Sequence, residues 1–406
     1  MAAGGDAIGR DDDGRVVFVE GGLPGEVLDV EITDERKDFA RGRVTAVLEP
    51  GPGRTAPPCP NVALGCGGCQ WQHIGPVTQL ELKAAVVDDA LRRIGRFSPE
   101  ELPAMTTHAV APTGYRTTLR MAVDRGGRPS YRLRHSHQLL APAQCMVAHP
   151  ALEELVVEGR FPGAREVTAR VSAATGERLV LVTPRAVEVR VPPDVIVVGA
   201  NSLKKGRPAF IVERVAGRDW RVSALSFFQS GPAAAEALVG VVDAAVGEAL
   251  PTGGLVVDTY AGVGLLGGVV AARRAARLVA VESSASSVDD ASHNLVDLEA
   301  RVERASIDHW RPSLGGSPDV VIADPPRAGL GAAAAEVLTG LGASRLILVG
   351  CDPASLARDA RLITSAGYTL SGVDVVDLFP HTFHIEAVAR FDRIVRDATH
   401  PVQSSP

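Results

Sequence analysis

Val256-Val257-Asp258-Thr259-Tyr260-Ala261-Gly262-Val263-Gly264 is the stretch that decides the fold. An apolar strand runs into a glycine turn, and helical texture comes next. Glycine there lets the backbone approach a ligand where a β-carbon would clash. The next apolar run, Leu278-Val279-Ala280-Val281-Glu282, ends in an acid 18 residues beyond Gly264. A carboxylate so placed can accept both hydroxyls of a ribose. On either side, 233–250 reads as a helix of Ala and Val, and 320–323 and 346–349 read as further short strands. Strand and helix alternate at a spacing that predicts an α/β domain, Rossmann-like and doubly wound with a parallel sheet, over 232–395.

Three more stretches fall at predicted strand ends, where such sheets present groups to a ligand crevice. Asp324-Pro325-Pro326-Arg327 follows the run 320–323. Cys351 follows Gly350 and precedes a helix opened by Pro353. A thiol near a helix N-terminus is expected to have a lowered pKa and to serve as a nucleophile. Phe379-Pro380-His381-Thr382 leads to Glu386, a base for the same crevice, ahead of a last strand at 387–391. The pattern Asp-x-x-x-Gly-x-Gly at 258–264 favours S-adenosylmethionine over a dinucleotide as the ligand.

The rest of the chain differs in texture. Residues 1–48 alternate like a small β-barrel, with strands at 16–19, 27–32 and 40–48. Residues 49–231 open on a Pro/Gly-rich linker and continue as a mixed, β-rich central domain. Its predicted strands are 116–123, 165–171, 178–183, 187–191 and 195–198. The helix 79–94 carries an apolar stripe at Leu80, Ala84, Val87, Leu91 and Ile94, and the wider 77–95 segment is expected to be able to pack on the catalytic domain. Residues 396–406 read as a disordered tail.

The chain has 406 residues, 46% hydrophobic and 22% charged, enough to bury cores in two or three domains of ~150 residues. No apolar run reaches the ~18 residues that span a membrane. The N-terminal 15 residues lack a basic-then-apolar leader, so the expectation is a soluble, cytoplasmic protein with no membrane partner. A net charge of −6 argues against coating nucleic acid through bulk charge. One segment departs from that balance. Between Thr113 and Leu140, Arg116, Arg120, Arg125, Arg128, Arg132 and Arg134 face only Asp124. That run is either a solvated pair of strands or a contact surface for an RNA backbone.

Five cysteines, an odd number, speak against a disulfide framework in such a chain. Cys59, Cys66, Cys69 and Cys145 are separated by 6, 2 and 75 residues, a four-thiolate set that leaves Cys351 over as a working thiol. One Cys-x-x-Cys knuckle with two scattered partners fits a [4Fe–4S] cluster better than zinc, and zinc stays open on spacing alone.

The stretch Val17-Phe18-Val19-Glu20-Gly21-Gly22-Leu23-Pro24-Gly25-Glu26 resembles the TRAM domain, a small RNA-binding barrel of the OB-like kind. With the Asp324-Pro-Pro-Arg and Cys351-Asp-Pro-Ala-Ser-Leu-Ala-Arg-Asp motifs, the Phe379-Pro-His-Thr segment and the four cysteines, nearly all of 1–395 resembles one family. It is the RNA 5-methyluridine methyltransferases that use S-adenosylmethionine, in the branch with a TRAM domain and an iron–sulfur cluster. The resemblance implies Cys351 as nucleophile and Glu386 as base. Gln229, Tyr260, Glu282, Asp308 and Asp324 would hold the methyl donor, with Phe227 beside the target base. Cys59, Cys66, Cys69 and Cys145 would hold a structural [4Fe–4S] cluster. It also implies RNA as the partner, 23S ribosomal RNA ahead of transfer RNA, and a monomer. The family often has Gln-x-Asn where Gln229-Ser230-Gly231 stands, Asn at Leu265, and Cys-Asn-Pro at Cys351-Asp352-Pro353. Loss of two polar groups near the donor leaves a second expectation open, an RNA-binding homologue impaired in catalysis.

Overall fold

The computed structural model describes residues 1–11, 13–203 and 209–394; the tail expected at 396–406 lies outside the described residues. The N-terminal sheet has the order Ala7–Arg10, Val16–Glu20, Phe39–Glu49, Val27–Glu35. Its own core is small, with Ala7, Val17, Val19 and Ala40 buried. A core of that size stabilises little by itself. The barrel therefore leans on the segment C-terminal to it. Leu23 packs with Trp71 and Ile74, and the buried Glu26 carboxylate accepts from Arg54 Nη2 at 2.6 Å.

The central sheet has six strands in the order Val195–Gly199, Arg178–Thr183, Glu166–Val171, Thr118–Val123, Pro129–Arg132, Leu139–Leu140. Residues 187–191 do not form the expected strand. Glu188 adopts φ 50° and only Arg190 makes an isolated bridge, because Pro184, Pro192 and Pro193 on either side cannot donate to a ladder. Half of the arginine-rich run is paired with acids. Arg120 pairs with Glu166, Arg128 with Asp124 and Arg134 with Glu20.

The C-terminal sheet has eight strands: Ala300–Arg304, Arg277–Glu282, Leu255–Thr259, Val320–Ala323, Arg345–Gly350, Glu386–Arg393, Tyr368–Asp377, Met105–Ala109. The first five are parallel, as the alternation of strand and helix predicts. The wholly parallel sheet does not hold beyond them. Glu386–Arg393 runs antiparallel between its two neighbours. The outer strand Met105–Ala109 comes from the segment before the central sheet.

The helix Pro76–Arg93 precedes that strand, and its Val86, Val87, Ala90 and Leu91 join the core beneath the C-terminal sheet. Its buried face also carries Gln79 and Lys83, while Ile94 is exposed. The expected apolar stripe is thus rotated toward a polar pair.

The antiparallel insertion positions the site. Gly350 pairs with Ala387, so Cys351 and Glu386 leave the same carboxyl edge side by side. Asp324 leaves that edge one strand further on, after Ala323.

Candidate active site and cysteine cavity

The glycine turn begins with Asp258, which is fully buried and accepts from the Gly267 amide at 2.8 Å. Tyr260, Gly262 and Gly264 take φ of 60°, 56° and 90°, the left-handed conformations that make the tight turn. Glu282 closes it. Its carboxylate accepts from the amides of Gly262 at 3.0 Å and of Ser283 and Ser284 at 2.7 Å each.

Above this edge lies one cavity of about 850 Å³. Gln229, Tyr260, Glu282, Asp308, Asp324, Cys351 and Glu386 all line it, so every catalytic and donor residue named from sequence meets in one place. Phe227 stands on the rim, 66% exposed. Gly231 and Leu265 are not among the lining residues. A β-carbon on Gly231 would come within 2.0 Å of the Tyr115 carbonyl oxygen, and Leu265 is buried in the core beneath the sheet. Neither position therefore faces the cavity; both are set by packing against the rest of the chain.

Three lining residues escaped the sequence reading. Arg116 lies over the Tyr115 and Phe379 rings at 5.7 and 5.5 Å. Arg327 Nη2 donates to His384 Nδ1 at 2.6 Å. His384 is pushed down to about 4 by burial and the nearby guanidinium of Arg327, so it is neutral at pH 7 and can accept that bond. Arg327 and Arg116 were visible as letters in a motif and in a basic run; nothing local to them signals the cavity.

The electrostatics reverse one expectation. The Cys351 thiol is pushed up to about 11, not down, first by burial and then by Glu386 and Asp324, with Arg327 opposing. Three carboxyls share that burial. Asp258 and Asp324 are raised to about 7, and Glu386 well above its ordinary value. The helix Pro353–Ser365 does start beside Cys351, but Asp352 caps it, accepting from the Ser355 amide at 2.8 Å. A helix end already occupied by a carboxylate, among further acids, cannot outweigh desolvation. Without ligand, burial favours the neutral forms of Cys351, Asp324 and Glu386.

Cys59, Cys66, Cys69 and Cys145 line a second, smaller cavity, whose wall also includes Arg116. Tyr131 Oη lies 3.2 Å from Cys145 Sγ, and the Cys59 amide donates to Gln72 Oε1 at 3.0 Å. Gln72 Nε2, buried against the same cavity, has no hydrogen-bond partner. Among the described residues, no three His, Cys, Asp or Glu side chains already stand close enough to hold a metal ion. Among them, too, no helix is long and apolar enough to cross a membrane.

Sheet order, glycine turn and cavity at the carboxyl edge define a methyltransferase fold. The same architecture occurs in the tRNA (uracil-54, C5)-methyltransferase of Pyrococcus abyssi, solved in complex with S-adenosyl-L-homocysteine. The TM-score is 0.70 at 23% identity, over 95% of this chain and all of that one. Residues 3–45 match the TRAM domain. An uncharacterized RNA methyltransferase of Streptomyces coelicolor is 37% identical over 96% of this chain and 90% of its own length. Another from Corynebacterium glutamicum is 34% identical over 97% and 95%. The chain belongs to this family of RNA methyltransferases.

Proposed function

We propose that the chain transfers the methyl group of S-adenosylmethionine to C5 of a uridine in RNA, with Cys351 as nucleophile and Glu386 as base. The observation that carries this reading is the pairing of Gly350 with Ala387, which sets a thiol and a carboxyl side by side on one cavity wall. Uracil C5 is a poor nucleophile, and methylation there needs both groups. The Cys351 thiolate adds to C6, and the C5–C6 electron pair moves toward C5 and O4. C5 then takes the methyl group, and the sulfonium becomes a neutral thioether. Glu386 removes the C5 proton, the double bond re-forms, and the C6–S bond breaks to return the thiolate.

The donor supplies the methyl group and one positive charge. That charge enters a cavity where burial raises Cys351, Asp324 and Glu386, and it favours their ionised forms. A carboxyl raised by burial is also a stronger base once ionised. Glu282, held by three backbone amides, faces the ribose, with Tyr260 and Asp308 further along the same wall. The uridine must leave its stack to reach Cys351, at a cost of a few kcal/mol. The exposed Phe227 ring offers a surface on which it can stack.

The four cysteines would hold a [4Fe–4S] cluster. A single tetrahedral zinc draws its sulfurs to about 3.8 Å from one another, as Zn–S bonds of ~2.3 Å require. Four thiols spread around a cavity, with an unpartnered amide of Gln72 beside them, suit a larger group. Its place is structural, since methyl transfer moves no net electrons.

The RNA is 23S ribosomal RNA in this reading, although the barrel at 3–45 does not by itself separate the two targets, since a transfer-RNA enzyme matches 95% of this chain. The Pyrococcus enzyme, which acts on transfer RNA, offers the alternative target. Mapping 5-methyluridine in 23S and transfer RNA from cells with and without the gene decides between them. Loss of no 5-methyluridine from either RNA would refute the proposal.

A further inference from the structure

The loop that carries Glu386 is held from outside its own sheet. It joins Tyr368–Asp377 to Glu386–Arg393, and its backbone is gripped by residues between 71 and 115. The Trp71 amide donates to the His381 carbonyl at 2.9 Å. Gln79 Oε1 accepts from the His381 amide at 2.7 Å, while Gln79 Nε2 donates to the carbonyls of Ile74 at 2.7 Å and Trp71 at 3.2 Å. Lys83 Nζ donates to Asp377 Oδ1 at 2.6 Å and to the Phe379 carbonyl at 3.1 Å. Tyr115 Oη donates to the Pro380 carbonyl at 3.0 Å. His381 sits at φ 68°, a conformation that a non-glycine residue keeps only when its surroundings impose it.

Gln79 and Lys83 are both fully buried. Burying an ammonium and an amide on a helix face is costly, and an apolar pair would pack the two halves together at less cost. What apolar residues could not do is fix the carbonyls and amides of this loop. Their spacing of four puts both on one helix face, with the loop across it.

We propose that Lys83 and Gln79 are positioning residues for Glu386, holding the strand end at Asp377 and the 378–385 loop so that the carboxyl stands against the C5 proton. This rests on the reading of Glu386 as base. It also means that the segment after Cys69 sets the geometry of the step that releases product. Trp71, the first residue of the latch, lies only two residues beyond Cys69 of the cysteine cavity.

The test is the fate of the covalent intermediate. Full-length protein is incubated with methyl-labelled donor and unmodified 23S ribosomal RNA or transfer RNA, and the reaction is quenched. Label in protein–RNA adduct on a denaturing gel is compared with label in free RNA. Lys83→Met leaves Asp377 as an uncompensated buried charge and can fail to fold. Lys83→Met with Asp377→Leu removes both charges, keeps the site filled, and still loses the grip on Phe379. Gln79→Leu loses the grip on His381.

In the folded variants the adduct-to-product ratio should rise about tenfold or more, toward that of Glu386→Gln, while adduct formation slows about threefold or less. A packing role would lower both yields in proportion and leave the ratio at the wild-type value, which would overturn the proposal. Absence of adduct in Glu386→Gln itself would overturn the reading of the base, and this inference with it.

Discussion

Glu282 offers the sharpest test of where the methyl donor sits. Its carboxylate is fixed by three backbone amides, those of Gly262, Ser283 and Ser284, so it meets a ribose already oriented. A charge-assisted hydrogen bond contributes about 1.5 to 3 kcal/mol, a factor of roughly 10 to 150 in affinity. Preorganisation places the loss for Glu282→Ala near the upper end, about 100-fold. The same change frees the Gly262 amide in a turn at φ 56°, so part of the loss could arise from a loosened turn. Glu282→Gln separates the two contributions. It keeps one acceptor oxygen for the turn, removes the charge, and should cost about tenfold. Calorimetric titration with S-adenosylhomocysteine, with thermal melting to confirm the fold, measures both. Unchanged affinity in a folded Glu282→Ala protein would refute the placement of the donor against the carboxyl edge.

Cys351, pushed up to about 11, should be alkylated by iodoacetamide about 100 times faster at pH 9 than at pH 7, since thiolate rises tenfold per unit. A cationic donor analogue should accelerate that labelling at pH 7 and the neutral S-adenosylhomocysteine should not; equal effects would refute the role given to the donor's charge. Asp258 is raised to about 7 from an ordinary 3.8, so its stabilising contribution is present below about pH 4 and is lost as pH rises through 7. The urea midpoint of the ligand-free protein should therefore fall between about pH 4 and 7, and Asp258→Asn should reduce that slope, with Asp324 and Glu386 supplying the remainder; parallel profiles would contradict it. Protein purified without oxygen should contain iron and sulfide at about four each per chain, and Cys69→Ser should lose both. Stoichiometric zinc without sulfide would rule the cluster out.

What could be read from the sequence was what local order specifies. The turn at 258–264, the acid at Glu282 and the strand ends before Asp324 and Cys351 are each encoded within about ten residues, and they fell where the chain lettering put them. The order in which strands assemble is not local. Nothing near Glu386–Arg393 says that it inserts antiparallel between Arg345–Gly350 and Tyr368–Asp377, nor that Met105–Ala109 will cap the far edge. Yet that insertion brings Glu386 beside Cys351. Lys83 and Gln79 failed the stripe test for the same reason, since their partners lie about 300 residues away. The thiol of Cys351 shows the limit most clearly. A helix start is legible just downstream, while the burial that outweighs it, and the carboxyls that add to it, come from the assembly of other strands.

The mechanism stands on Cys351 and Glu386 acting on one uracil ring in successive steps. Glu386→Gln keeps the nucleophile and removes the base, so addition and methyl transfer should proceed while elimination stalls. Denaturing electrophoresis of that variant after reaction with unmodified RNA and methyl-labelled donor should reveal a labelled protein–RNA band, absent when Cys351→Ala is added. The single Cys351→Ala protein should form no adduct and transfer no methyl group. Methylation of RNA by folded Cys351→Ala protein would contradict the mechanism.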